Sequence, residues 1–296
     1  MRVIRYIKGT EKQLAAVGQD NQVVDLPYAD FMSLVAAAQS NNKTAFDIIK
    51  QISLKTAGKP IDSLTLTTPI DAPEVWASGV TYKKSKEARN YEATQGKLDR
   101  ETFYDKVYDA ERPEIFFKST AARTVGPNDP VYLRSDSNWQ IPEPELGLVI
   151  DRHGNVLGYT IGNDMSCRDI EGENPLYLPQ AKVWKSSCSI GPAILLKEAV
   201  EDPYELQIKC RIFRENELVF EGSAFVNQLK RTLNELVQYL IRDNSIFDGT
   251  VLLTGTCVVP PNEFTLQDQD HIEIEIPGIG VLSNPVKQSE TAVQVN

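Results

Sequence analysis

The chain has 296 residues, enough to bury a large core either as one large domain or as a small domain joined to a larger one. Its 31 basic and 41 acidic residues leave a net charge of −10, which disfavours nucleic acid and anionic membrane as partners; an anionic small substrate stays compatible, because local charge at a site outweighs a screened distant field. The four cysteines Cys167, Cys188, Cys210 and Cys257 show no Cys-x-x-Cys spacing, which argues against zinc, iron–sulfur and thioredoxin-type chemistry and predicts buried free thiols.

Residues 1–70 read as a small N-terminal α/β module. The opening MRVIRYIKGTEKQ has no apolar leader core, and no run in the chain approaches the length of a bilayer crossing, so the cytoplasm is the expected location. RVIRYI and QVVDL alternate like strands, while YADFMSLVAAAQ and KTAFDIIKQI have helical spacing. The stretch from Pro60 to Pro73 predicts an extended connection, and a larger domain is expected over residues 74–296. Its first part, residues 83–112, is rich in charge and poor in large aliphatics; it predicts a solvent-facing helical cover, able to serve as a lid beside an active site. From Glu114 onward the pattern is one of short strands, EIFFK, PVYLR, LGLVI, AILLK, LQIKCRIF, ELVFEG, TVLLTGTCVV and HIEIEI, with one helix at LKRTLNELVQYLIRD. The fold class expected is α+β.

The chemistry concentrates in WQIPEPELGLV. On an extended strand Glu143 and Glu145, at i and i+2, point to one face, and two carboxylates sharing a site repel each other unless a cation lies between them. After the RHGN turn a returning strand can bring a third acid, Asp164, alongside. Three oxygen donors with no Cys or His nearby suit a hard ion, Mg2+ with Mn2+ or Ca2+ as alternatives. The competing reading of Glu-Pro-Glu is a solvated edge strand guarded by charge and proline; the apolar flanks Trp139, Ile141, Leu146, Leu148, Val149 and Ile150 weigh against it, since a desolvated acid pair needs compensation. Lys182, in QAKVWKSS, is either a surface charge or, facing the metal, an amine whose pKa the cation lowers until it can act as a base. In TGT, Thr254, Gly255 and Thr256 offer donors to a carboxylate or form a plain strand-end turn. The two histidines, His153 and His271, have no partners suggesting a triad, and no glycine-rich phosphate loop is present.

WQIPEPELGLV, IGNDMSCRDIEGENP, QAKVWKSS, LLTGTCVVPP and IEIPGIGVLSNPV resemble, in order and spacing, the successive motifs of the fumarylacetoacetate hydrolase superfamily, over roughly residues 74–286. SGVTY, EIFFKST, RTVGP and SDSNW are most similar to its branch of 2-keto-3-deoxy sugar-acid dehydratases. The resemblance implies a mixed β-roll for the larger domain, assembly into homodimers or homotetramers, Mg2+ held by Glu143, Glu145 and Asp164, Lys182 beside it, and Thr256 on the substrate carboxylate. Hydrolytic and decarboxylating relatives carry G-x-N-Y-x-x-H-x-x-E, whose His and Glu activate water; here Ser85 and Ala88 stand in those places.

Without that pair the expected reaction is an elimination: loss of water from a 2-keto-3-deoxy sugar acid, such as 2-keto-3-deoxyarabinonate going to 2,5-dioxopentanoate. Lys182 and Glu114 are the expected acid–base pair, with Glu114 favoured as the base because apolar IFFK follows it. Ser85, Arg89 and Lys118 are expected on the hydroxyls and carboxylate of the 2-oxo acid substrate. The alternatives are a hydrolase, decarboxylase or isomerase of acylpyruvate-type or oxo-dicarboxylic acids, and a noncatalytic keto-acid binder.

Overall fold

The computed structural model describes residues 1–18, 21–53, 58–94 and 103–289. Part of the expected cover, 95–102, and the end of the expected larger domain, 290–296, lie outside the described residues.

The chain opens with a hairpin. Arg2–Lys8 pairs with Glu11–Val17 in the register Arg2↔Val17 to Lys8↔Glu11. The second strand, EKQLAAV, contains good helix formers, yet the partner strand and burial of Leu14 to Val17 override that local preference. The hairpin does not stand apart: Arg2↔Leu195, Val3↔Ile194 and Ile4↔Ala193 join it to the strand Cys188–Leu196. Hydrogen bonding therefore runs unbroken from the first 70 residues into the rest of the chain.

The resulting twelve-stranded sheet follows the order Lys59–Pro60, Gln22–Asp25, Glu11–Val17, Arg2–Lys8, Cys188–Leu196, Val156–Asp164, Pro144–Ile150, Thr250–Leu253, Val75–Gly79 and Glu114–Ser119, with Leu66–Thr67 and Thr124–Val125 paired off this path. It is mixed, since Thr250–Leu253 runs parallel to Val75–Gly79 while most neighbours are antiparallel. A second, five-stranded sheet is built from Glu217–Phe225, Gln207–Arg214, His271–Ile276, Gly280–Gln288 and Val131–Leu133.

The period of two decides which side chain enters which layer. Ile4, Leu146, Leu148 and Leu252 face a core shared with Ile208, Ile272 and Ile274 of the second sheet and Leu236 of the helix Leu233–Ile241. Val3, Leu14, Val149 and Val251 face the other way, onto Phe31, Leu34 and Ile49 of the helices Phe31–Ser40 and Ala45–Ser53. Pro144–Ile150 is thus buried on both faces, which explains why LGLVI is uniformly apolar. The helix expected over LKRTLNELVQYLIRD begins later, at Leu233, because the Thr232 side chain caps it by accepting from the Glu235 N–H. Among the described residues no helix is long and apolar enough to cross a membrane.

Alternating strand direction brings six strand ends to one place. The start of Pro144–Ile150 lies beside the end of Val156–Asp164 and the start of Cys188–Leu196. The ends of Thr250–Leu253 and Val75–Gly79 and the start of Glu114–Ser119 complete the same edge.

Candidate active site and metal centre

That edge collects the acids. Glu145 opposes Gly162 and Pro144 opposes Asn163 across the hairpin; the Asp164 N–H donates to the Glu143 carbonyl at 3.0 Å, and the Glu143 N–H to Asn163 Oδ1 at 3.1 Å. This pairing brings carboxylate oxygens of Glu143, Glu145 and Asp164 within 4.8 Å of one another, all buried. Burial, reinforced by Asp164 and Glu143, pushes the Glu145 carboxyl well above its ordinary range; Glu143 is pushed up too, by burial and despite Lys182.

Two lysines close on the acids. Lys182, fully buried, donates to Glu143 Oε2 and lies 3.2 Å from Asp164 Oδ2. Burial alone would lower its pKa, but Asp164, Glu143 and Glu171 hold the ammonium above its ordinary value. Lys118 lies 2.6 Å from Asp164 Oδ1 and donates to the carbonyls of Met165, at 2.8 Å, and Lys182. Two of the three ammonium donors go to these carbonyls, and the charge is set against Asp164 as an ion pair. Lys118, expected on the substrate, lies against Asp164, whose carboxyl the two lysines hold below its ordinary value against the effect of burial.

Glycine makes room at two points. The Gly255 N–H donates to Glu145 Oε2 at 2.6 Å. Gly255 sits at φ +99°, and a Cβ there would meet Thr81 Oγ1 at 1.8 Å, so a side chain is excluded both by conformation and by space. Gly79 pairs with Glu114, and a Cβ on it would fall 2.1 Å from Glu114 Oε2. Gly79 is followed by Val80, a β-branched residue at φ +52°. Such backbone strain is found where a site fixes it; here the adjacent Thr81 hydroxyl donates to the Thr254 carbonyl at 2.8 Å.

Glu114 Oε2 is buried without a hydrogen-bond partner. Burial, opposed by Arg89, raises its carboxyl above the ordinary value. Thr256 follows Gly255, is buried, and donates to the Val258 carbonyl at 3.2 Å. Ser85 and Arg89 lie one turn apart on the helix Lys83–Thr94, both buried. Helices do form in the charged segment, here and at Phe103–Asp109, but the first is no purely solvated cover: Ser85, Ala88, Arg89 and Glu92 make an inner face against the helix Arg168–Glu173.

The seam between these helices holds, beside Arg89, three charges that sequence reasoning missed: Glu92, Arg168 and Glu171. Arg89 Nη1 lies 2.5 Å from Glu171 Oε1, and Arg168 Nε 3.1 Å from Glu92 Oε1. Burial drives Glu92 up to about 8, against the pull of Arg168. The one legible signal was spacing, since Arg89/Glu92 and Arg168/Glu171 each stand at i, i+3.

The carboxyls of Glu92, Glu114, Glu143, Glu145, Asp164 and Glu171 face the basic groups of Lys118, Lys182, Arg89 and Arg168. Burial pushes Glu92, Glu114, Glu143 and Glu145 toward the protonated form, and the oxygen-only donor set of Glu143, Glu145 and Asp164 fits a hard cation that would compensate it.

Residues 75–287 match the family model described as fumarylacetoacetate (FAA) hydrolase C-terminal. The chain is 42% identical over 290 residues, 97% of each chain, to a 2-dehydro-3-deoxy-D-arabinonate dehydratase of Saccharolobus solfataricus. It is 50% identical over 220 residues, 74% of each chain, to a probable 2-keto-3-deoxyxylonate dehydratase of Haloferax volcanii. The fold superposes with a TM-score of 0.82 and 40% identity on 2-keto-3-deoxy-D-arabinonate dehydratase complexed with magnesium and 2,5-dioxopentanoate, covering 98% of this chain and 100% of that one.

Proposed function

Because the chain belongs to the fumarylacetoacetate hydrolase family, we propose that it is a Mg2+-dependent hydro-lyase that removes water from a 2-keto-3-deoxy sugar acid, converting 2-keto-3-deoxy-D-arabinonate to 2,5-dioxopentanoate. The observation that carries this reading is the buried Glu143, Glu145 and Asp164 group with Lys182 set among its oxygens. Dehydratase relatives that align over most of the chain support it.

Glu143, Glu145 and Asp164 would hold the Mg2+. When bound, the ion supplies Lewis-acid stabilisation of the negative charge developing on the 2-oxo oxygen, worth several kcal/mol. Glu114, with an unpaired buried oxygen and a raised pKa, takes the C3 proton. Lys182, held protonated by its acidic neighbours, gives a proton to the departing C4 hydroxyl. Positioned groups of this kind contribute about 10²- to 10⁴-fold each. Tautomerisation then yields the dioxo acid. Thr256 and Arg89 contact the substrate, and Ser85 lines the site where relatives that hydrolyse place a histidine. The helical cover, with Ser85 and Ala88 both buried on its inner face, then carries no water-activating pair.

The description of the larger domain as a β-roll beside an N-terminal module, a cytoplasmic location, assembly as a homodimer or homotetramer, and a place in sugar-acid catabolism belong to the same proposal. The test is the unmodified protein with Mg2+. Expected is efficient formation of 2,5-dioxopentanoate from the 2-keto-3-deoxypentonate, with little pyruvate from acylpyruvates. Efficient acylpyruvate cleavage with no water loss from any 2-keto-3-deoxy acid would replace the dehydratase by a hydrolase. Ser85→His with Ala88→Glu, three residues apart on the inner helix face, should gain only slight hydrolysis, because new catalytic groups need supporting contacts.

A further inference from the structure

One buried carboxylate beside Lys182 also reaches the substrate-side Arg89, a contact the chemistry above does not use. Glu171, about 1% exposed, lies 2.5 Å from Arg89 Nη1 and 4.0 Å from Lys182 Nζ through the same oxygen, while its other oxygen accepts from Ser166 Oγ at 3.2 Å. It is not one of the three acids grouped for a metal. Its helix, Arg168–Glu173, begins four residues beyond Asp164 and packs on the helix that carries Arg89.

We infer that Glu171 is a positioning residue for this reaction, fixing the Arg89 guanidinium at the substrate and spacing it from the Lys182 ammonium; the inference rests on reading the site as one for a 2-oxo acid. Two cations near each other repel, and Arg89 on a long side chain has several rotamers to lose when it engages a ligand. An acid between them offsets the repulsion and orders the guanidinium before substrate arrives. Ser166 holds the second oxygen, so the carboxylate itself cannot rotate freely. Pre-set geometry of this kind is worth up to about 10²-fold in rate when it is disturbed. An interaction with substrate made equally in ground state and transition state appears in KM rather than kcat, and the Arg89 contact is expected to behave so.

The test is a double-variant cycle on the full-length protein with Mg2+. Glu171→Gln should lower kcat/KM by about 10- to 100-fold, chiefly through KM, and weaken calorimetric binding of 2-oxobutyrate. Glu171→Asp, which keeps the charge, should recover part of the loss. In an Arg89→Met background, adding Glu171→Gln should change KM and 2-oxobutyrate binding less than about 2-fold, because the group through which Glu171 acts on substrate is gone. The double variant also leaves no unpaired charge from this pair, which keeps the comparison available if Glu171→Gln alone folds poorly. Equal losses in both backgrounds, or no loss in the first, would overturn the assignment. Should the wild type bind 2-oxobutyrate but dehydrate nothing, the reaction reading fails while the binding arm still decides Glu171; should it bind no 2-oxo acid, both fall.

Discussion

Two charged regions of this molecule use the same residue types to opposite effect. In the N-terminal layer, the buried Arg5 forks onto both oxygens of Asp71 at 2.6 Å and also donates to the Thr68 carbonyl at 2.9 Å and hydroxyl at 3.0 Å. The Arg5 fork, with Lys12 added, draws Asp71 down to about 2. Asp25 is likewise brought to about 2, its partial burial outweighed by hydrogen bonds from Lys8, Lys59 and Tyr6. At the strand ends around Glu143, acids outnumber bases, and Glu143, Glu145, Glu114 and Glu92 all shift upward. An acid that moves down has a cation fixed beside it, as Asp71 and Asp25 do in the N-terminal layer and Asp164 does between Lys118 and Lys182. Acids that move up are buried with too little compensation, and their concentration around Glu143 marks the site.

The comparison breaks first at the triad. Changing Glu143, Glu145 or Asp164 to Ala should each abolish turnover and Mg2+ binding in a calorimetric titration, since each removes a ligand. Stability of the metal-free protein should then separate them. Glu145→Gln relieves repulsion between buried acids and should raise the thermal midpoint, whereas Asp164→Asn strips Lys118 and Lys182 of their shared partner and should lower it. Unchanged Mg2+ affinity in all three would mean that the acid excess serves another purpose.

Next in size is Lys182→Met, expected to lower kcat by about 10²- to 10⁴-fold while Mg2+ binds as well or more tightly, because a neighbouring positive charge is gone. Near wild-type turnover would move Lys182 into the balanced, structural class.

Lys118→Met sharpens the contrast from inside the site. It removes the cation at Asp164 Oδ1 and the donor to the Met165 carbonyl, while Lys182 still faces Oδ2 and the Ser187 hydroxyl still donates to the Lys182 carbonyl, so urea unfolding should show a loss of roughly 3–5 kcal/mol, the usual cost of breaking a buried pair from one side. A stability change below 1 kcal/mol, on the order of a surface pair, would contradict the ammonium's structural role.

The smallest effect belongs to the N-terminal layer. Asp71 is half exposed, so after discounting for solvent Asp71→Asn should cost about 1 kcal/mol, with activity unaffected. Its folded pKa lies below the ordinary 3.8; the stabilisation is therefore present above that value and is lost as pH falls toward about 2. Acid titration of unfolding in wild type and variant should converge in that window, and a difference that persists below it would count against the ion pair.

How much of this was open to reading in the sequence follows from the range of the interactions. Glu143, Glu145 and Asp164 were legible because a strand's period of two and one tight turn are local rules, and the hairpin needs nothing else to bring three acids together. The apolar run LGLVI and the amphipathic helices were legible for the same reason. The ordered motifs pointed to the family, whose model then matched residues 75–287. What sequence could not decide is who neutralises whom. That Lys118 pairs with Asp164 and donates to two carbonyls, that Gly255 supplies an N–H to Glu145 from 110 positions away, and that Glu171 and Glu92 meet Arg89 and Arg168 across a helix seam all depend on long-range packing. So does the joining of the first hairpin to the strand Cys188–Leu196. Pattern determines which faces are apolar; the fate of a buried charge depends on which other charges the fold carries to it, and only the tertiary structure sets those distances.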